Sequence, residues 1–383
     1  MEPSPSDRYW KPLADPDYVH RVREHVQAHV APIAAEIDRE DKFPLQMVRD
    51  FAKAGLTQSI FAPEFGGHGD YRKTIALFEE LGYTSCAAAV SVITVLQAQT
   101  MINKFGSQEL KELYIPRLAR GMTASYSLTE TSHGSDIRSL DTKAVRDGDH
   151  WVLNGEKSFM TSGEDAELIV LLAETEKGVS VFAVTEDMPG IEKYIGEHSA
   201  TFGLRNGPHV NMKLNDVRIP ASHMIGEEGR GVKQAVMTMA HSRTCTAGIF
   251  VGIARAAFDG ALGRASGRVA FDNTVLSFQG IQWYFSEMFT EIEAARLLTY
   301  RAADALNDGE EVDRHTSVAK FKAGSVATDV SLKAMQICGA WGTSDKTPFS
   351  RYIRDSKTYE IGAGSSEIMK NTIAKYLLRE INT

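Results

Sequence analysis

The stretch YEIGAGSSEIMK, residues 359–370, interrupts a helix-like region with two glycines, an alanine and two serines. Gly362 and Gly364 let the backbone turn through positive φ or approach a ligand closely, at a cost in helix stability. Ser365, Ser366 and Glu367 then read as the cap and first turn of a final helix, a place that suits an anion or a phosphate. Two other stretches carry related chemistry. YSLTETSHGSD (126–136) joins a strand-end aromatic to hydroxyls and a glycine turn, and KSFMTSG (157–163) sets Phe159 two residues before Thr161. Aromatics beside hydroxyls and backbone amides suit a flat heteroaromatic ring with carbonyl and N–H edges, such as a flavin. The same residues also serve as plain strand-end packing and turn formers.

Other chemistries lack their residues. There is no HExxH, CxxC, P-loop or GxSxG pattern, and the eleven histidines are scattered, which argues against a metal site. GEEGRGV (226–232) superficially resembles a nucleotide-binding glycine motif, but it follows a polar turn with the wrong glycine spacing and reads as a turn. Forty-two basic against fifty acidic side chains give a net charge of −8 without a basic block, so neither nucleic acid nor an anionic membrane is the expected partner. Cys86, Cys245 and Cys338 are widely spaced and odd in number, which fits a reducing compartment and no disulfide framework. The opening MEPSPSDRYWKP lacks the charged and apolar regions of a secretory signal, and the apolar run CAAAVSVITVL (86–96) reads as too short to span a bilayer. A cytoplasmic protein is expected.

The elements that must position these residues divide into three blocks. Residues 1–121 read as helical: HRVREHVQAHVAPIAAEI places Val22, Val26, Val30 and Ile33 on one face. FAPEFGGHGDY (61–71) is a glycine-rich loop. Residues 122–230 read as short strands, with Asn154-Gly155 between apolar runs as a hairpin turn, and predict a compact antiparallel barrel or sandwich. From 231 to 383 helices return, with Ala319, Ala323, Val326, Val330, Ala334 and Ile337 forming a small-residue stripe suited to close packing. The class is multidomain α+β.

Six separated stretches occur in the order of one known family: PEFGGHG (63–69), LTETSHGSD (128–136), LNGEKSFMTSG (153–163), FGLRNGPHV (202–210) with DVRIP (216–220), QICGAWG (336–342) and RDSKTYEIGAGSSEI (354–368). Along nearly its whole length the chain resembles the acyl-CoA dehydrogenases. The resemblance implies a helical N-terminal domain, a middle β domain and a C-terminal helical bundle, with FAD as cofactor and usually a homotetramer, or else a homodimer. It implies that Tyr126, Leu128 and Thr129 lie along the flavin ring, that Phe159 takes the usual tryptophan place beside it, and that Thr161 hydrogen-bonds the N5 region. By the same match Ser135 touches the pantetheine-side phosphates of a bound thioester. Arg268, Phe271, Gln279, Gln336 and Gly339 reach the FAD of a neighbouring subunit, and Ser365 and Glu367 contact the cofactor.

The family removes an α-proton with a glutamate placed either in the glycine break or, in a subgroup resembling isovaleryl-CoA dehydrogenase, just before an arginine on an earlier helix. Here those places hold Ala363 and Ser242, with Arg243 as the matching arginine. A serine of ordinary pKa cannot do a carboxylate's work near neutral pH. Glu360 reads as an ion-pair residue and His241 as a core or solvent-facing histidine, while Gln97 or Gln99 is placed to face a polar substrate group. The Ala363 N–H still matches the donor that holds the substrate carbonyl, together with a flavin ribityl hydroxyl. An aspartate that often contacts pantetheine is replaced by Ala240, which keeps a carrier-protein-bound acyl group open beside CoA. The expected activity is α,β-dehydrogenation of an acyl thioester with a relocated or substrate-supplied base, with electron-transfer flavoprotein or oxygen as acceptor. The alternatives are a lyase or cyclase that uses the enolate without net oxidation, and a non-catalytic flavin-binding protein.

Overall fold

The computed structural model describes residues 9–58, 61, 65–310 and 312–381. Most of the opening MEPSPSDRYWKP, and Pro63 and Glu64 of the PEFGGHG motif, lie outside the described residues. Among the described residues the first long helix is α1 (Pro16–His29), capped by the Asp15 carboxylate, which accepts from the N–H groups of Asp17 and Tyr18. Val22, Val26 and Val30 are buried as their spacing predicts, but the chain turns around Pro32 and resumes as α2 (Ala34–Glu40), so the apolar face is shared by two helices. Helices α3 (Leu45–Lys53), α4 (Tyr71–Thr84), α5 (Cys86–Phe105) and α6 (Gln108–Ala119) complete the first block.

Strands β1 (Ala124–Ser127), β2 (Lys143–Asp147), β3 (His150–Met160), β4 (Leu168–Thr175), β5 (Gly178–Thr185), β6 (Ile191–Tyr194), β7 (Val210–Pro220) and β8 (Met224–Ile225) form one sheet. Its order is β6-β7-β3-β2-β4-β5-β8, with β1 beside β4. Both β1 and β2 run parallel to β4, so the sheet is mixed where the sequence predicts antiparallel pairing. The irregular excursion from 128 to 142 is long enough to carry the chain back to the same end of the sheet, which a tight turn could not do. Successive residues of β4 face opposite ways: Leu168, Val170 and Leu172 join the helical core, while Ile169, Leu171 and Ala173 pack with Trp151, Leu153 and Phe182 on the far face.

The Asn154-Gly155 hairpin expected from sequence does not form. β3 runs straight through it, paired with β7, and the register slips between Leu153 and Gly155. A Cβ on Gly155 would lie 2.5 Å from Thr142 Cα, and Asn154 bonds across to Asp216 through both its amide groups. The dipeptide makes a bulge because a neighbouring strand must pass close to it.

The last block is built on α7 (Gly231–Gly267), which crosses α4 so tightly that a Cβ on Gly252 would sit 2.2 Å from the Glu79 carbonyl oxygen. A hairpin of β9 (Val269–Ala270) and β10 (Asn273–Thr274) leads to α8 (Gln279–Asp308), α9 (Val312–Cys338), α10 (Phe349–Ile361) and α11 (Ser366–Ile381). The whole small-residue stripe of α9 is buried. At the α4–α7–α8 junction, Glu79 accepts from Arg255 at 2.6 Å, Arg296 at 2.8 Å and Tyr300 at 2.9 Å, and Glu80 accepts from Arg255 and Arg23. Burial opposes ionisation of Glu79, yet the two guanidiniums hold it down to about 2.

The run 86–96 extends into a full 20-residue helix, so both α5 and α7 are long and apolar enough to cross a membrane, contrary to the sequence expectation for the first. In the fold, 89% and 83% of their apolar windows are buried inside the protein, which accounts for the composition.

Candidate functional site

The strand ends bring two of the quoted stretches side by side. Ser158 N–H donates to the Thr129 carbonyl at 2.9 Å, and Ser125 Oγ donates to the Thr161 carbonyl at 2.9 Å. Tyr126, Leu128 and Thr129 therefore lie against the end of β3, where a second register shift between Lys157 and Met160 re-aims the chain. Phe159 and Ser162 adopt positive φ there, of 54° and 56°, and the Phe159 ring is 46% exposed although it stands among buried strand residues. The Tyr126 and Ser127 hydroxyls are buried without a partner, an expensive arrangement unless something polar fills the space beside them. A half-exposed aromatic, a nearby threonine and orphaned buried hydroxyls fit the isoalloxazine edge of FAD. Tyr126, Leu128, Thr129, Phe159 and Thr161 are the residues that would hold it.

The loop beyond β1 is anchored by a buried pair, Lys157 Nζ to Glu130 Oε1 at 2.7 Å, with Glu130 also accepting from the N–H groups of Asp141 and Thr142. This loop carries Ser135 at the surface. Glu130, His133 and Asp141 lie close enough to share a cation, but the Glu130 carboxylate is already neutralised by Lys157.

The glycine break forms a turn between α10 and α11. Ala363 has φ 55° and Gly364 φ 94°, so an alanine sits in the left-handed region at a cost of roughly 1 kcal/mol or more. No acceptor among the described residues takes the Ala363 N–H, which leaves the donor available. Two side chains hold the turn from behind through three hydrogen bonds. Arg243 Nε donates to the Ala363 carbonyl at 3.4 Å, and Lys320 Nζ donates to the carbonyls of Glu360 at 3.1 Å and Gly364 at 2.6 Å. Ser365 precedes α11, its Oγ accepting from Ile368 N–H at 3.5 Å, and Glu367 stands exposed in the first turn.

Ser242 is buried on α7, where Gln97 of α5 donates to its Oγ at 2.7 Å. Of the two glutamines, Gln97 faces Ser242, while Gln99 is fully buried with its amide unpaired. His241 points elsewhere: its ring packs 5.0 Å from Tyr71, and burial, aided by Lys104, pushes it down to about 3, so it is a neutral core histidine. Glu360 accepts from Thr328 and Lys357, both at 2.7 Å, and is fully occupied. Ala240 is fully buried. The described residues thus place no free carboxylate beside Ser242 or Ala363.

A second group lies at the ends of α7, α8 and α9. A Cβ on Gly339 would come within 3.3 Å of Arg268 Nη1, so these two meet. Phe271, in the β9–β10 turn, is 88% exposed, and Gln279 and Gln336 are exposed on the starting turn of α8 and the last turn of α9. Lys320 is the residue that sequence reasoning missed. It is a lysine among the buried small residues Gly324, Ala327 and Ser331 at helical steps, a pattern that marks a charge aimed into the bundle.

Comparison with known proteins agrees with this geometry. Residues 17–122, 125–217 and 229–378 match the N-terminal, middle and C-terminal domains of acyl-CoA dehydrogenase. The short-chain-specific acyl-CoA dehydrogenase of Clostridium acetobutylicum is 35% identical over 370 residues, 94% of this chain and 96% of that protein. The butyryl-CoA dehydrogenase structure from Megasphaera elsdenii superposes with a TM-score of 0.92 at 29% identity, covering 96% of this chain and 99% of that one. The prolyl acyl carrier protein oxidase AnaB follows at 0.89 and 26%, covering 95% and 100%. With all three domains matched in order, the chain belongs to the FAD-dependent acyl-CoA dehydrogenase family.

Proposed function

We propose that this acyl-CoA dehydrogenase-like flavoenzyme oxidises an acyl thioester between its α and β carbons, with the proton acceptor brought by the substrate. The observation that carries this reading is the pairing of an available Ala363 N–H with two vacated base positions, Ser242 and Ala363. FAD, when bound, supplies a hydride acceptor. The chain's own residues do the rest. Ala363 N–H donates to the thioester carbonyl and stabilises negative charge as the α-proton leaves. The Gln97–Ser242 pair offers a polar contact to the acyl group where a carboxylate would otherwise stand. The buried charges nearby, Arg243 and Lys320, are both positive, which suits an acyl group with its own carboxylate. That carboxylate would take the proton.

The handle is CoA or the phosphopantetheine of a carrier protein, a choice supported on one side by the butyryl-CoA relative and on the other by AnaB. Exposed Arg268, Phe271 and Gln279 suit a homotetramer in which they complete a neighbour's cofactor site, with electron-transfer flavoprotein or oxygen reoxidising the flavin. The three cysteines are free and buried, which suits the cytoplasm. The lyase or cyclase reading gains nothing from the relatives described. Anaerobic mixing with acyl-CoA and acyl-carrier-protein panels tests the proposal: stoichiometric flavin bleaching by a carboxylate-bearing acyl thioester is expected. Product formation without bleaching would transfer the site to the lyase reading.

A further inference from the structure

Lys320 has an unusual environment. It is 2% exposed, in the middle of α9, and no carboxylate pairs with it among the described residues. Its ammonium donates instead to two carbonyls, Glu360 O and Gly364 O, which bracket the break. Glu360 O lies in the last turn of α10, where carbonyls have lost their helical partners and the helix dipole is negative. Gly364 O lies beyond the left-handed Ala363. One side chain therefore ties together the two ends of a strained turn, and Arg243 Nε adds a bond to the carbonyl between them.

A buried ammonium costs several kcal/mol unless its surroundings repay it, and two carbonyls repay less than a carboxylate would. The usual lysine charge is eroded: burial, and then Arg243 nearby, push it down to about 7, with Glu360 opposing. Such a residue is a poor way to stabilise a fold. It is an effective way to fix the orientation of one peptide plane, because both of its bonds span the break.

We propose that Lys320 is a positioning residue: by clasping the Glu360 and Gly364 carbonyls it fixes the turn that aims the Ala363 N–H at the thioester carbonyl. This rests on the reading of Ala363 given above. Replacing Lys320 by methionine keeps the length and bulk of the side chain but removes the donors. The turn then relaxes from its left-handed conformation and the N–H swings away. Misplacing such a donor by an ångström is worth about 100-fold in rate, so polarisation of the carbonyl is the sensitive measure.

The test uses holoenzyme and succinyl-pantetheine, a carboxylate-bearing acyl thioester, labelled with 13C at the thioester carbonyl, with the pantetheine portion common to CoA and carrier-protein substrates. In the wild type the bound carbonyl resonance moves downfield, as hydrogen bonding to the oxygen requires. In Lys320→Met at least half of that displacement is lost, while FAD content and the affinity for the thioester stay near wild type. Lys320→Gln, which keeps N–H donors on a shorter stem, recovers part of it, and it carries the same readout should the methionine variant fail to fold. An unchanged resonance in folded variants overturns the role of Lys320 and leaves the functional reading intact. A wild type that binds the probe without any displacement, or does not bind it, removes both.

Discussion

Two buried charge clusters on the same helix differ in balance. Around Arg255, two glutamates meet three arginines and a tyrosine, with carboxylate oxygens accepting from all four side chains. Twelve residues earlier on α7, Arg243 lies near Lys320; both donate hydrogen bonds to carbonyls, and their acidic neighbours, Asp313 and Glu360, act on them through space. The first cluster is complete without a ligand and serves to dock α4, α7 and α8. In the second, no carboxylate hydrogen-bonds to either cation among the described residues, which is why the proposed substrate brings one. On the reading proposed above, Ser242 stands where a glutamate beside Arg243 would otherwise supply that charge.

The comparison is broken most visibly by restoring that carboxylate. Ser242→Glu should raise flavin reduction by a simple straight-chain acyl-CoA about 10²- to 10⁴-fold, the usual contribution of a general base. Stopped-flow bleaching of the oxidised flavin under anaerobic conditions is a suitable measurement. Ala363→Glu should gain less, because the new side chain enters a turn already strained. If neither variant gains activity while FAD stays bound, the second cluster is not waiting for a carboxylate. Damaging the balanced cluster should act on stability instead. Glu79→Ala strands Arg255 and Arg296 and should cost about 3–5 kcal/mol in urea unfolding, with little effect on the chemistry of any holoenzyme that survives.

Arg268→Ala should lose bound FAD and reduce the oligomer size together, if its guanidinium pairs with a neighbour's pyrophosphate. Full cofactor content at unchanged mass on a sizing column would refute that placement. A further effect is one of pH. Lys320 titrates at about 7 in the fold and near 10.5 when unfolded, so between those values the unfolded chain binds more protons. Stability should therefore rise with pH across that window, and Lys320→Met should flatten the rise. Parallel curves for the two proteins would show that the second cluster holds its charge as comfortably as the first.

The α–β–α order was legible because hydrophobic period changes abruptly near 122 and 231, and the periodic faces of α1 and α9 are buried as read. The Asn154-Gly155 hairpin was misread because a turn and a bulge ask for the same backbone freedom, and only the partner strand distinguishes them. Parallel pairing of β1 and β2 with β4 was invisible for a similar reason: pairing is a property of two segments far apart in the chain. Residue types single out 126–129 and 157–161, and the structure brings the two stretches side by side, yet the orphaned Tyr126 and Ser127 hydroxyls could not be read from sequence. Lys320 was passed over because the stripe beside it, from Ala319 to Ile337, explained the helix without it.

The burial of α5 has a further consequence for how the chain is made. This largely apolar 20-residue helix emerges from the ribosome as part of the first helical block, but α7, which packs over it, is encoded past the whole β domain. Until then this segment has only the neighbouring helices and, chiefly through β1, the sheet to pack against. Folding is thus dominated by a contact between distant parts of the sequence, which slows it and exposes a sticky intermediate. The first 121 residues, synthesised alone, should be a chaperone client rather than a domain.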